Sequence, residues 1–264
     1  MEALQRQEEQ RDQSKLVNDL RNKFVNFPIG RMLLTLIKEA PAESRPQLTI
    51  QLFGKAGHGK SELVNSCLCV ARDEPYKNKC GATDCTGAVT RKREMYTLTR
   101  NIRICDNRGL KCMTSREFYE MEQQLKGKRD DLSKDVNFET SFFGRLFAVN
   151  TVKEKPGNVY VPVIVYKCDS HYAEDQVPEL VPLIKIIINV SGKKPIIVLT
   201  CSEGNNTALF KQAFNDSGCH DILTVENYTE RNPKRTHDQD AAILTFLLHC
   251  LEFVQNEVAK PKRM

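Results

Sequence analysis

The chain has 264 residues, and its 39 Lys plus Arg against 34 Asp plus Glu leave a net charge of +5, mildly basic and far from what a dedicated nucleic-acid binder carries. Its 10 cysteines stand singly, several of them in apolar runs (Cys67, Cys69, Cys105, Cys250), a usage that points to a reducing compartment and away from a disulfide scaffold. Residues 1–13 lack the apolar core of a secretory leader, and the longest apolar windows, 180–190 and 241–254, are interrupted by Lys185 and His249 and fall short of the roughly 20 residues that span a bilayer, so a soluble, cytoplasmic protein without a transmembrane segment is expected.

One domain with trimmings is expected: an N-terminal helical extension over 1–30, then a single domain over 31–260. In the extension, Leu16, Leu20, Phe24 and Phe27 are spaced as one stripe of an amphipathic helix that docks on the domain or on a partner. Pro28 and Gly30 are expected to break it, with a second short helix over Arg31–Glu39 and a loop through Pro41 and Pro46.

The apolar run Leu48–Phe53 reads as a strand. It leads into Gly54-Lys55-Ala56-Gly57-His58-Gly59-Lys60-Ser61, which satisfies the phosphate-binding pattern G-x-x-x-x-G-K-[ST] at every fixed position. A helix follows, with Leu63, Cys67 and Val70 at helical spacing, so strand, glycine loop and helix stand in the order the motif requires. The glycines let successive backbone N–H groups converge, and the helix start through Glu62 adds its positive end, which suits phosphate. Lys60 is placed to bridge β- and γ-phosphates, and the Ser61 hydroxyl is an oxygen ligand of the kind Mg²⁺ takes. His58 fills a variable slot and is read as filler rather than as a catalytic base.

Residues 72–89 are polar and aperiodic, a flexible segment beside the phosphates. Thr90–Leu98 and Asn101–Cys105 read as an antiparallel strand pair. The second strand runs into Asp106-Asn107-Arg108-Gly109, where Asp106 would hold Mg²⁺ through a water and the Gly109 N–H would meet a γ-phosphate. Leu110, next in line, has no hydrogen-bonding group to orient an attacking water. The basic cluster Arg91, Lys92, Arg93, Arg100, Arg103, Arg108 and Lys111 is read as a solvated strand face.

Thr114-Ser115-Arg116-Glu117 is a capping box that opens a switch helix through about Lys126, with Phe118, Met121 and Leu125 on one face. An insertion is expected near 128–158. Beyond it the pattern predicts a strand over Val159–Cys168, a helix over Pro178–Val190, a buried parallel strand over Pro195–Thr200, a helix over Thr207–Asn215, a strand over Asp221–Val225 and a closing helix over Ala241–Val258. Alternating strands and helices imply a mostly parallel sheet covered on both faces. Two metal-like spacings, Cys80 with Cys85 and Cys168 with His171, lack the second pair that a tetrahedral site needs.

With these residues placed, the sequence resembles P-loop GTPases of the translation-factor-related class, and more narrowly the interferon-induced protein 44 family. The resemblance is carried by the phosphate loop, by Thr86–Thr90 through Tyr96 to Ile104–Leu110, and by Val225-Glu226-Asn227-Tyr228 leading to the closing helix. It implies a three-layer, Ras-like G domain with one antiparallel edge strand, GTP/GDP and Mg²⁺ as cofactors, and a place in innate or antiviral response. It also implies Thr90, or alternatively Thr86, as the threonine that completes the Mg²⁺ shell, and Thr200, Glu203 and Asn227 at the base.

The base-reading motif [NT]-K-x-D is replaced here by Thr200-Cys201-Ser202-Glu203. Cys201 has no stem to lie over a purine, while Glu203 keeps an acceptor carboxylate for guanine, one methylene farther out. The expected function is a Mg²⁺-dependent guanine-nucleotide switch with slow hydrolysis, able to form a nucleotide-dependent homodimer. The alternatives are an ATP-binding phosphotransferase and an inactive pseudo-GTPase that serves as an interaction module.

Overall fold

The computed structural model describes residues 2–36, 47–80, 93–128, 158–168, 177–200 and 206–259. The elements run α1 (Glu2–Val25), α2 (Ile29–Leu36), β1 (Gln47–Phe53), α3 (Lys60–Arg72), β2 (Glu94–Thr99), β3 (Ile102–Asp106), α4 (Ser115–Leu125) and β4 (Asn158–Lys167). A 3₁₀ turn (Pro178–Leu180) then leads into α5 (Val181–Ser191), β5 (Ile196–Thr200), α6 (Thr207–Asp216), β6 (Ile222–Thr224) and α7 (His237–Ala259). The strands form one six-stranded sheet in the order β2-β3-β1-β4-β5-β6. Every neighbouring pair is parallel except β2 with β3, so the edge strand β2 is the antiparallel one.

Two-residue periodicity in the central strands divides the core into two layers, because successive side chains leave opposite faces of a strand. Val161, Val163 and Val165 of β4 and Ile196 and Val198 of β5 meet α3 and α7 on one face. Ile164 and Tyr166, with Ile197 and Leu199, join Leu183, Ile184 and Ile187 of α5 and Phe210 and Phe214 of α6 on the other. Each of these side chains is almost wholly removed from water, which contributes about 2 kcal/mol apiece. Gln51 of β1 points into the second layer, where its Nε2 donates to the Gln124 carbonyl of α4 at 3.1 Å.

The structure corrects several expectations. The stripe of α1 is carried by Val17, Leu20 and Phe24, with Phe27 partly buried beyond it. Leu16 is 52% exposed, because at about 100° per residue it falls off the line that Val17, Leu20 and Phe24 share. The chain breaks at Asn26–Pro28 alone. Gly30 sits inside α2, where a Cβ would come within 2.7 Å of the Asn101 side-chain nitrogen.

The closing helix begins at His237, before the apolar run, since Thr236 caps it: the Gln239 N–H reaches Thr236 Oγ1 at 3.3 Å. The stretch after α3 is tied down as far as Cys80, because Asn65 Oδ1 accepts from the N–H groups of both Lys79 and Cys80 at 3.0 Å. Two members of the supposed solvated basic face are buried, Arg93 and Arg108. Arg93 is held in place by donating from Nε to Asn107 Oδ1 at 3.1 Å. Of the expected insertion near 128–158, residues 129–157 lie outside the described residues, as do Thr86, Thr90 and Glu203.

Candidate nucleotide-phosphate site

The site lies at the carboxyl ends of β1 and β3, where two loops meet. Gly54 leaves β1 with φ 140°, and a side chain there would put a Cβ 2.3 Å from the Val165 carbonyl oxygen of β4. Only glycine combines that dihedral with that approach. Gly57 and Gly59, with φ of 80° and 82°, complete the turn into α3.

The second loop closes against the first. Leu110 N–H donates to the Gly54 carbonyl at 3.1 Å, and Ala56 N–H to the Leu110 carbonyl at 2.9 Å. Gly109 lies so close that a Cβ would stand 2.6 Å from Ala56 Cα. The Leu110 side chain is buried in the second core layer beside Phe53.

Three polar side chains converge between these loops. Lys60 is nearly buried, and its ammonium donates to the carbonyls of Lys55 at 2.8 Å and Gly54 at 3.3 Å. Burial pushes its pKa down, against the attraction of Asp106 and Glu62. The Ser61 hydroxyl donates to Asp106 Oδ2 at 2.6 Å. Burial raises the Asp106 carboxyl to about 6, while Lys60 and the Ser61 hydrogen bond pull it back. Its other oxygen, Oδ1, is buried with no hydrogen-bond partner among the described residues. An isolated acceptor of this kind costs free energy unless something supplies a positive charge or a proton.

Side chains from the far strands hold the phosphate loop from behind. The Thr200 hydroxyl, at the end of β5, donates to the His58 carbonyl at 3.2 Å. Asn227, in the loop after β6, donates from Nδ2 to the Gly59 carbonyl at 3.0 Å. The His58 ring stands edge-on to Tyr166 with centroids 4.7 Å apart, and its Nδ1 accepts from the Lys167 N–H at 3.3 Å. The structure thus brings Gly54, Gly57, His58, Gly59, Lys60, Ser61, Glu62, Asp106, Gly109, Thr200 and Asn227 to one end of the sheet.

Sequence reasoning missed Asn107 and the work of Glu117. The Glu117 carboxylate accepts from the N–H groups of Lys111 at 2.7 Å, Cys112 at 3.2 Å and Thr114 at 3.0 Å, which folds the turn between the second loop and α4. Its half of the capping box was readable; its reach to Lys111 was not.

No family model matches the chain, and no curated protein matches it. Among solved structures it is similar to a protein described as nucleolar GTP-binding protein 1 from Plasmodium falciparum, at 15% identity and a TM-score of 0.39 over 82% of this chain and 92% of that one. It is also similar to Toc33 from Arabidopsis thaliana in complex with GDP and Mg²⁺, at 17% identity and a TM-score of 0.46 over 80% of this chain and 86% of that one. The fold is that of a P-loop G domain. The strand order, the antiparallel edge strand and the glycine loop at the head of α3 define it. Among the described residues no helix is long and apolar enough to cross a membrane.

Proposed function

We propose that the protein binds GTP and GDP with Mg²⁺ and changes conformation with the state of the γ-phosphate. The observation that carries this reading is the convergence of Lys60, Ser61 and Asp106 between two loops whose backbones are pinned to each other. Ser61 and Asp106 offer hard oxygen donors, and the unpartnered Asp106 Oδ1 suits a water held by Mg²⁺. Mg²⁺ would neutralise charge on the phosphates. Thr90, or Thr86, is proposed to join Ser61 at the ion. Lys60 would exchange its two carbonyl partners for phosphate oxygens, and Gly109, packed on Ala56, would offer its N–H to the γ-phosphate.

Guanine is proposed on the acceptor carboxylate of Glu203, with Thr200 and Asn227 at the same end. Hydrolysis would be slow without help, since the buried Leu110 cannot orient water and an added arginine alone is worth about 10³ to 10⁵ in rate. The narrower kinship with the interferon-induced protein 44 family, a cytoplasmic location, an innate or antiviral role and a nucleotide-dependent homodimer belong to the same proposal. So does the division into an extension over 1–30 and a domain over 31–260.

Fluorescent-nucleotide titrations of the wild type and Lys60→Ala, in Mg²⁺ and in EDTA, test the reading. Saturable binding that requires both Lys60 and Mg²⁺ supports it, and binding indifferent to either contradicts it. Phosphate release measured at several protein concentrations tests the rest. A slow rate that rises with concentration fits assistance across a dimer, whereas a fast rate independent of concentration contradicts the slow-turnover claim.

A further inference from the structure

A line of polar contacts runs from the N-terminal helix to the phosphate loop. In α1, Arg21 donates from Nε to the Val70 carbonyl at the end of α3 at 3.0 Å, and its Nη2 pairs with Asp73 at 2.9 Å and stands 4.0 Å from Asp240. Arg235 joins the same two carboxylates: Nη1 meets Asp73 at 3.0 Å and Nη2 meets Asp240 at 2.6 Å. Asp240, nearly buried at the start of α7, also accepts from the Tyr228 hydroxyl at 3.0 Å.

Tyr228 is fixed at its other end as well, with its N–H on the Ser66 hydroxyl at 2.9 Å. Its neighbour Asn227 is the residue that holds the Gly59 carbonyl. The line therefore starts on a helix outside the nucleotide site and ends on the carbonyl that precedes Lys60.

We propose that α1 is a control element of the nucleotide site: docked, it braces Arg235 and Asp240 so that Tyr228 and Asn227 keep the phosphate loop in its binding shape, and its release speeds nucleotide exchange. The physical basis is sharing. Asp73 and Asp240 are held by two guanidiniums, and removing Arg21 leaves Arg235 to neutralise both, one of them in a low-dielectric interior where a loosened pair costs most. A relay of this kind is real only if its ends are energetically coupled. The inference rests on the nucleotide reading above, and the test separates the two.

Release of a fluorescent GDP is followed from the full chain with Mg²⁺ for the wild type, Arg21→Ala, Arg21→Lys, Lys23→Ala, Asn227→Ala and Arg21→Ala/Asn227→Ala. Lys23 is the control, because its exposed pair with Glu252 at 3.0 Å ties the same helix to α7 outside the relay. Arg21→Ala is expected to release about fivefold faster. Lys23→Ala should match the wild type, and the double variant should be no faster than Asn227→Ala alone. Arg21→Lys, which keeps the charge and loses the fork, covers the case in which alanine unfolds the chain and should fall between.

Wild-type release rates in both Arg21 variants, or multiplying effects in the double variant, would overturn the proposal. Hydrogen exchange at the amides of 57–62 in nucleotide-free protein decides it even if no nucleotide binds. Exchange is expected to quicken in Arg21→Ala and stay unchanged in Lys23→Ala. Equal protection in Arg21→Ala and the wild type would sink the relay without touching the nucleotide reading.

Discussion

The two halves of the site are built from different materials. Between β1 and β3, the candidate site is built from backbone: Gly54 and Gly109 are small because Val165 and Ala56 press against them, and the two loops exchange N–H and carbonyl groups directly. Toward β5 and β6, the work passes to side chains, with Thr200 at the end of β5 and Asn227 in the loop after β6 reaching the carbonyls of His58 and Gly59. A backbone cradle tolerates almost no substitution at its tight points and therefore leaves a spaced glycine pattern in the sequence. A side-chain brace is set by how the sheet brings strands together, and no local spacing records it.

This difference predicts that the two halves fail differently. The largest effect on binding is expected from Lys60→Ala. Removing a buried, hydrogen-bonded cation from a phosphate contact costs about 2–5 kcal/mol, so triphosphate affinity should fall by a factor of roughly 30 or more in equilibrium titration. The nucleotide-free variant should melt no lower than the wild type, because burial already disfavours the charged form of Lys60 in the folded state. A large loss of melting temperature would show that Lys60 serves the fold rather than the ligand.

Gly54→Ala should act on the fold itself. Its Cβ would meet the Val165 carbonyl oxygen at 2.3 Å, an overlap that the β4 backbone must move to relieve. About 3 kcal/mol of destabilisation is expected, a fall of roughly 6–12 °C in Tm readable by calorimetry. Gly57→Ala, where no atom of the described residues lies within 4 Å of the new Cβ, should cost only the strain of its positive φ, about 1 kcal/mol.

Asp106 supplies a pH signature. Its carboxyl is raised to about 6 in the folded chain against an ordinary value of 3.8, so between those values the unfolded chain is ionised while the folded one keeps its proton. This group therefore makes nucleotide-free stability fall as pH rises from about 4 to 6 and leaves it flat above. Mg²⁺ needs the ionised form, so Mg²⁺-dependent nucleotide affinity should weaken as pH drops through about 6. Asp106→Asn should abolish that pH dependence and cost about 10- to 100-fold in Mg²⁺ affinity. Titrations at pH 5.5, 6.5 and 7.5 check both.

Thr200→Val should have the smallest effect on binding. It leaves the His58 carbonyl without its donor, at a cost of about 1–3 kcal/mol spread between fold and binding. If Thr200 braces the phosphate loop, GTP and ATP should lose affinity by the same factor. A changed GTP-to-ATP ratio would make Thr200 a reader of the base.

Much of this was legible in the sequence. The phosphate loop, the strand ending in Asp106, the capping box at Thr114 and the order of strands and helices all follow from local spacing, and the structure has them. Other features depend on contacts between distant residues. Arg93 reads as a surface charge until Asn107 is brought beside it, and Asn65 reads as an ordinary helix residue until the chain after α3 folds back onto it. The stripe of α1 reads one residue off, on Leu16 rather than Val17, and Arg21 lies beside Val17 and Phe24 on the helix. A long cation there suggests a solvent face, yet it is drawn in by Asp73 and the Val70 carbonyl. The Thr236 cap could have been found, since Thr236 followed by Gln239 has the capping-box spacing.

The most direct measurement is calorimetric titration of the full chain with GTP, GDP and ATP in Mg²⁺. One saturable site for GTP and GDP, at least tenfold weaker for ATP, is the expected result. No saturable heat from any of the three with a folded protein would contradict nucleotide binding outright, and tighter binding of ATP than of GTP would contradict the assignment of guanine.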